Sequence, residues 1–316
     1  LDRFETECVS DGCVYYPPVE SQGVLLAVLV VAGWSFPGVF VRWMPQLNPW
    51  TIAILRLAIG FLFTLPFAVS PTRRADFVSV LKTPVCWVLA ALMYAYYLVA
   101  TAAFQNAPVG EVAVLIASAS ALALPLRLAF GVKPRVREVV GTGLAVAGVS
   151  CVLLTGHGHG HYENPVLGPV LALCAALCAA TFTTGVRYLT DAGQPANPLA
   201  ISTVAQGFGL LTLPFVISIT PSSQLLDHRT LWAIPLGIFS TAIPTAGYAA
   251  AAGLLPPVVA TMLNPMVAVT ANAVAAMAIG EVPRIWVVPA AVLIIAGIYV
   301  STRPNSQLAL EPVLEG

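Results

Sequence analysis

Ten long apolar stretches follow one another along this chain, separated by connections of only a few residues, and that succession confines it to a lipid bilayer. About 20 apolar residues match the hydrocarbon thickness, and within it a helix satisfies its own backbone groups. Of 316 residues, 58% are hydrophobic and 9% charged, against about 25% charged in ordinary soluble domains. The pattern implies an all-α integral membrane chain. The apolar runs predict helices over 21–43, 49–70, 84–105, 108–130 and 137–155, then 165–189, 197–219, 230–252, 256–280 and 284–302. Length alone would allow two soluble domains, but connections this short leave no room for a second globular core.

Orientation follows from Lys and Arg. With the N-terminus cytoplasmic, Arg3, Arg73, Arg74, Lys82, Lys133, Arg135, Arg137, Arg187 and Arg303 lie in or beside cytoplasmic connections, and only Arg42, Arg229 and Arg284 lie outside. Both termini are expected in the cytoplasm, with the cell (inner) membrane as the location. The first apolar run is of full spanning length and follows an acidic segment, so an uncleaved anchor is expected. Net charge is zero and the basic residues are scattered, which excludes a clustered nucleic-acid footprint.

The second five runs repeat the punctuation of the first five. A shift of 149 positions carries Pro108, Gly131, Pro134 and Gly148 onto Pro257, Gly280, Pro283 and Gly297. Upstream, Asn48-Pro49 answers Asn197-Pro198, and Leu65-Pro66-Phe67 answers Leu213-Pro214-Phe215. Five spans is an odd number, so the second half enters from the opposite side and the halves are inverted repeats. The expected divisions are a tail 1–20, a first five-helix repeat 21–155, an outer loop 156–164, a second repeat 165–302 and a tail 303–316.

Gly33, Trp34, Ser35 and Phe36 in the first run, Arg56 after Asn48-Pro49, and Gly280, Glu281, Val282 and Pro283 before a Gly-containing last run resemble the EamA branch of the drug/metabolite transporter superfamily. The resemblance covers about residues 21–302. It implies a ten-helix fold and a secondary-active carrier that exports a small organic metabolite: an amino acid, nucleobase, vitamin or drug-like solute. It also implies a central cavity lined by spans 1, 3, 4, 6, 8 and 9, which contain Trp34, Tyr94, Tyr97, Ser118, Thr184, Tyr248 and Asn264. The first half departs from the second in having Val132 where Glu281 stands, and no Pro matching Pro265.

Charge inside a span is costly and faces the protein interior or a watery path. Arg56 and Glu111 are the clear cases, able either to pair with each other or to meet substrate or a proton; Arg127 reads as an interfacial anchor. Glu111 is the candidate for proton coupling. Pro265, after Asn264, frees a carbonyl and marks either a gate hinge or a bend. Glu281, in a short outer turn, reads as a capping or gating group.

His157, His159 and His161 alternate with glycines, so three imidazoles can reach one metal ion. The same glycines make a flexible linker, the reading we favour, and no cofactor is expected; a metal-linked carrier is the alternative. Cys174 and Cys178 share a helix face and read as packing residues. No phosphate-binding GxxxxGK[ST] motif is present, and all four His lie in connections, which argues against an ATPase and an intramembrane enzyme. A non-transporting membrane sensor or assembly protein remains the other class.

Overall fold

The computed structural model describes residues 8–9, 12–13, 21–129, 136–155, 166–194, 196–251, 257–281 and 285–302. The loop with His157, His159 and His161, most of the 1–20 tail, the 303–316 tail, and Gly131, Val132, Pro134 and Pro283 lie outside these residues. Within the tail, Cys8–Val9 and Gly12–Cys13 pair as a two-stranded antiparallel hairpin.

Every other secondary-structure element among the described residues is helical. In chain order the helices are α1 Ser21–Ser35, α2 Pro37–Arg42, α3 Pro49–Ala68, α4 Arg74–Lys82, α5 Pro84–Asn106, α6 Val109–Ala117, α7 Ala119–Ala129 and α8 Val136–Thr155. The second half holds α9 Leu167–Asp191, α10 Pro198–Ile219, α11 Ser222–Leu225, a 3-10 turn His228–Trp232, α12 Ala233–Gly237, a π-helical turn Ile238–Ala242, α13 Ile243–Ala251, α14 Pro257–Ile279 and α15 Val287–Thr302. Among the described residues, seven helices are long and apolar enough to cross a membrane: Gln22–Arg42, Pro49–Ala68, Pro84–Asn106, Val109–Leu126, Leu167–Asp191, Pro198–Ile219 and His228–Ala250. Shorter apolar helices run over Met266–Ile279 and Val287–Val300. Large apolar side chains such as Leu62, Phe67, Leu211 and Phe215 are exposed, as lipid-facing residues must be.

The repeated motifs do local work at equivalent places. Asn48 accepts from Trp50 N–H at 3.0 Å and Asn197 from Leu199 N–H at 3.0 Å, each followed by a Pro at the first helical position, where its missing N–H is harmless. Three predicted runs prove to be interrupted. Pro37 divides the first into α1 and α2. Ser118 divides the fourth into α6 and α7, its hydroxyl donating back to Leu115 O at 2.6 Å. The eighth changes pitch at the π-turn. Pro265, in contrast, lies inside α14 without ending it. The amphipathic α4 occupies what the apolar pattern left as a plain connection.

Equivalent helices from the two halves pack side by side and antiparallel. Along α3 and α10, Thr51 meets Thr220 with 3.1 Å between hydroxyls, while Thr64, further along, meets Gln206. Along α8 and α15 the equivalent glycines serve reciprocally: a methyl group on Gly148 would strike Ala290 O, and one on Gly297 would strike Gly141 O. Opposed glycines allow this close helix approach. Elsewhere α1 packs on α13, α9 on α5 and α14 on α6, so the main helix contacts join one half to the other.

Candidate functional site

Pro244 breaks the regular hydrogen bonding of its helix. It has no N–H, so the carbonyl four residues earlier, Ser240 O, lacks its normal helical donor. The chain widens there into the π-turn Ile238–Ala242, a feature frequent at functional sites. Arg56 reaches across from α3 and supplies the missing donor: its NH2 group bonds Ser240 O at 3.0 Å and its Nε bonds Thr241 Oγ1 at 2.6 Å. The Thr241 hydroxyl in turn donates a hydrogen bond to Leu236 O at 3.1 Å.

Around this guanidinium lies a polar cluster drawn from both halves. The Tyr97 ring of α5 lies 4.8 Å from the guanidinium carbon, within cation–π range, and Tyr96 stands edge-on to Tyr97 with centroids 5.2 Å apart. Arg56, Gly60 and Thr64 are spaced by four and share one face of α3. Thr64 donates to Gln206 Oε1 of α10 at 2.6 Å. A methyl group on Gly60 would lie 3.1 Å from Thr241 Cγ2 and 3.4 Å from Gln206 Oε1, so these two side chains meet over bare backbone. The cluster is sealed, with Arg56 4% exposed and Gln206 and Ser240 0%. Gln206 Nε2 and Ser240 Oγ have no hydrogen-bond partner.

A second set of contacts ties the end of the bundle where α2 finishes and α3 and α6 begin. Arg42 Nε lies 3.3 Å from Glu281 Oε1, and Glu281 Oε2 accepts from Val109 N–H at 2.8 Å. Arg42 also donates to Ala107 O at 2.8 Å and Gln105 O at 3.2 Å. Trp43 and Trp232 meet at a tilt with centroids 4.3 Å apart, and Gln46 donates to Thr230 at 3.3 Å. A cavity of about 500 Å³ lies at this end, lined by Gln46, Asn48, Thr51, Gln105, Thr220 and Gln224 among others. It is separate from the Arg56 cluster, although Thr51 precedes Arg56 by only about 7.5 Å of helix rise.

The EamA-like transporter family matches residues 21–154 and 166–303, two copies that coincide with the two halves. The chain belongs to the EamA-like transporter family. Membership places it in the drug/metabolite transporter superfamily and identifies a multi-pass integral membrane protein of a transporter family. Sixteen chains of solved structures match; one, titled "Crystal structure of protein", aligns with a TM-score of 0.61 at 20% identity, covering 89% of this chain and 96% of that one. That likeness speaks for the fold alone. No curated protein matches significantly in sequence.

The candidate residues do not all gather at one place in the EamA fold. Arg56 and Tyr97 come together in the sealed cluster. Trp34 and Tyr248 face each other with centroids 5.5 Å apart, half-buried, beside Ser35, which bonds Thr270. Tyr94 lies a turn from Tyr97 but turns to Thr212, with 3.1 Å between hydroxyls, and meets Phe208 edge-on. Ser118 is buried and bonded to its own helix; Thr184 is half-buried on α9 and Asn264 is exposed on α14. Glu111 is 3% exposed in the first turn of α6. Of the two alternatives open for Arg56 and Glu111, pairing with each other does not occur: Arg56 bonds the carbonyl that Pro244 frees and the neighbouring Thr241 hydroxyl. Glu281 caps α6 from the opposite half. Pattern reading passed over Gln206, Thr64, Ser240 and Thr241. Gln206 was detectable as the lone amide in the middle of an apolar run, and Pro244 marked Ser240 four residues before it. Among the described residues no group of three or more His, Cys, Asp or Glu is placed to hold a metal.

Proposed function

We propose that the chain is a secondary-active carrier that exports a small organic metabolite by alternating access, built as ten spans in two inverted sets of five with both termini cytoplasmic. One observation carries the reading: a polar cluster around a buried cation, roofed by both halves where equivalent helices cross antiparallel. Polar groups sealed inside a bilayer protein mark a solute path by default, and inverted halves offer two packings of similar energy around one site. On this reading the end tied by Arg42, Glu281 and Val109 is the outer gate in its closed state. Opening it requires breaking contacts made between halves and leaves each half intact.

The aromatic pairs Trp34–Tyr248 and Tyr96–Tyr97 suit an organic solute better than a bare ion. Glu111, buried in the first turn of α6, is the group we assign to proton coupling. Reconstituted vesicles test the reading directly. Counterflow of a radiolabelled solute against an imposed gradient is expected; vesicles that hold folded protein but move no amino acid, nucleobase, vitamin, organic acid or cationic drug would leave the sensor class in its place.

A further inference from the structure

Arg56 carries a charge that its surroundings do not balance. A guanidinium has five N–H donors; two are used on Ser240 O and Thr241 Oγ1, which leaves three. Every partner is neutral: a carbonyl, a hydroxyl and the face of Tyr97. Among the described residues no ion pair includes Arg56, and Glu111 is not its counter-ion. A cation held 96% out of solvent in a membrane domain ordinarily pairs with an anion. Gln206, which meets Thr64 and Gly60 one to two turns along the same face of α3, and Ser240, whose carbonyl Arg56 binds, are both fully buried, and Gln206 Nε2 and Ser240 Oγ are without partners.

Resting on the carrier reading above, we infer that Arg56 is the docking cation for a substrate bearing a single carboxylate. The three remaining guanidinium N–H groups match the fork of a carboxylate. Gln206 Nε2 and Ser240 Oγ–H are neutral donors suited to its outer lone pairs, and Tyr96 and Tyr97 supply an apolar wall for the organic remainder. One cation offsets one charge, so a monoanion is favoured over a phosphate monoester, whose second charge finds no partner here. Because Ser240 and Thr241 lie on the π-turn while Arg56 lies on α3, a bound carboxylate draws one half onto the other. Substrate binding thereby favours the sealed state through the contacts that recognise it.

The test uses the full chain in nanodiscs for thermal shift and in proteoliposomes for flux. Phenylacetate is compared with phenylacetamide, lactate with lactamide, and both pairs with phenyl phosphate and benzylamine. The carboxylates are expected to bind at least tenfold more tightly than their amides and to be carried, with no corresponding gain for phenyl phosphate or benzylamine. R56Q removes the preference and R56K retains part of it. If R56Q fails to fold, Q206L serves instead, with the preference weakened severalfold while uncharged solutes bind as before. Amides or benzylamine bound as well as carboxylates by the unaltered protein would overturn the carboxylate assignment and leave carriage standing. A preference that survives in both variants would overturn it too. Movement of no solute of any class would overturn the carrier reading along with it.

Discussion

Replacing Glu281 with Gln probes its tie to Arg42 and α6 with almost no change of shape. Glu281 makes two charge-dependent contacts, the 3.3 Å pair with Arg42 and the 2.8 Å bond from Val109 N–H at the first turn of α6. The side chains of Arg42 and Glu281 are 20% and 27% exposed, so the pair is partly screened and worth about 0.2–1 kcal/mol. A Gln oxygen still accepts from Val109, but the attraction of a full negative charge to the helix N-terminus, about 0.3–1 kcal/mol, is lost. Together these give about 0.5–2 kcal/mol, a shift of about 2- to 30-fold between closed and open ends. Spin labels on P45C and L226C, exposed at this end of opposite halves, read the distance in a cysteine-free background. E281Q is expected to enlarge the long-distance population by that factor, and R42Q to do at least as much. A double-mutant cycle separates the pair from the cap. Unchanged distances in E281Q, or energies in the cycle that simply add, would refute the tie.

Four further outcomes follow from the geometry. P244A restores an N–H for Ser240 O in competition with Arg56, so the π-turn is expected to close to α-helix, with unaltered helical circular dichroism and at least a tenfold loss of transport. G148A and G297A drive a methyl group into backbone, at a cost of about 1–3 kcal/mol by thermal unfolding, whereas G143A, on the same helix with open space around it, is expected to cost nothing. N48A and N197A each remove an N-cap and should cost about 1 kcal/mol in the same assay. E111Q is expected to abolish transport driven by a pH gradient while sparing solute exchange; unchanged gradient dependence rules out the coupling role given to Glu111.

What the sequence revealed was what is written locally. Asn48-Pro49 and Asn197-Pro198 announce helix starts because cap and proline act within four residues, and the structure begins α3 and α10 there. The helices fall within a few residues of the apolar runs for the same reason. Arg56 was legible as a buried charge, but its partners were not: Ser240 and Thr241 are about 185 positions away in sequence. Pairing by charge suggested Glu111, whereas a missing proline donor decided the matter. Glu281 reads as a solvated or turn-capping residue of its own outer turn or as a gating group, and nothing local indicates that it accepts from Val109 N–H at the start of α6 of the other half and holds Arg42, which the pattern treats only as an external charge. The interruptions at Phe36, Ser118 and the π-turn were hidden because hydropathy averages over pitch.

The reciprocal glycine seam between α8 and α15 has a mechanical consequence. Where backbone lies against backbone, no side-chain rotamers are available to absorb a slide of one helix along the other, and each displaced glycine would bring a bulkier neighbour into the notch. Translation is therefore blocked in both directions while tilting is not. On the carrier reading proposed above, the seam would act as an axle, with displacement smallest beside the glycines and growing toward the remote ends of the bundle.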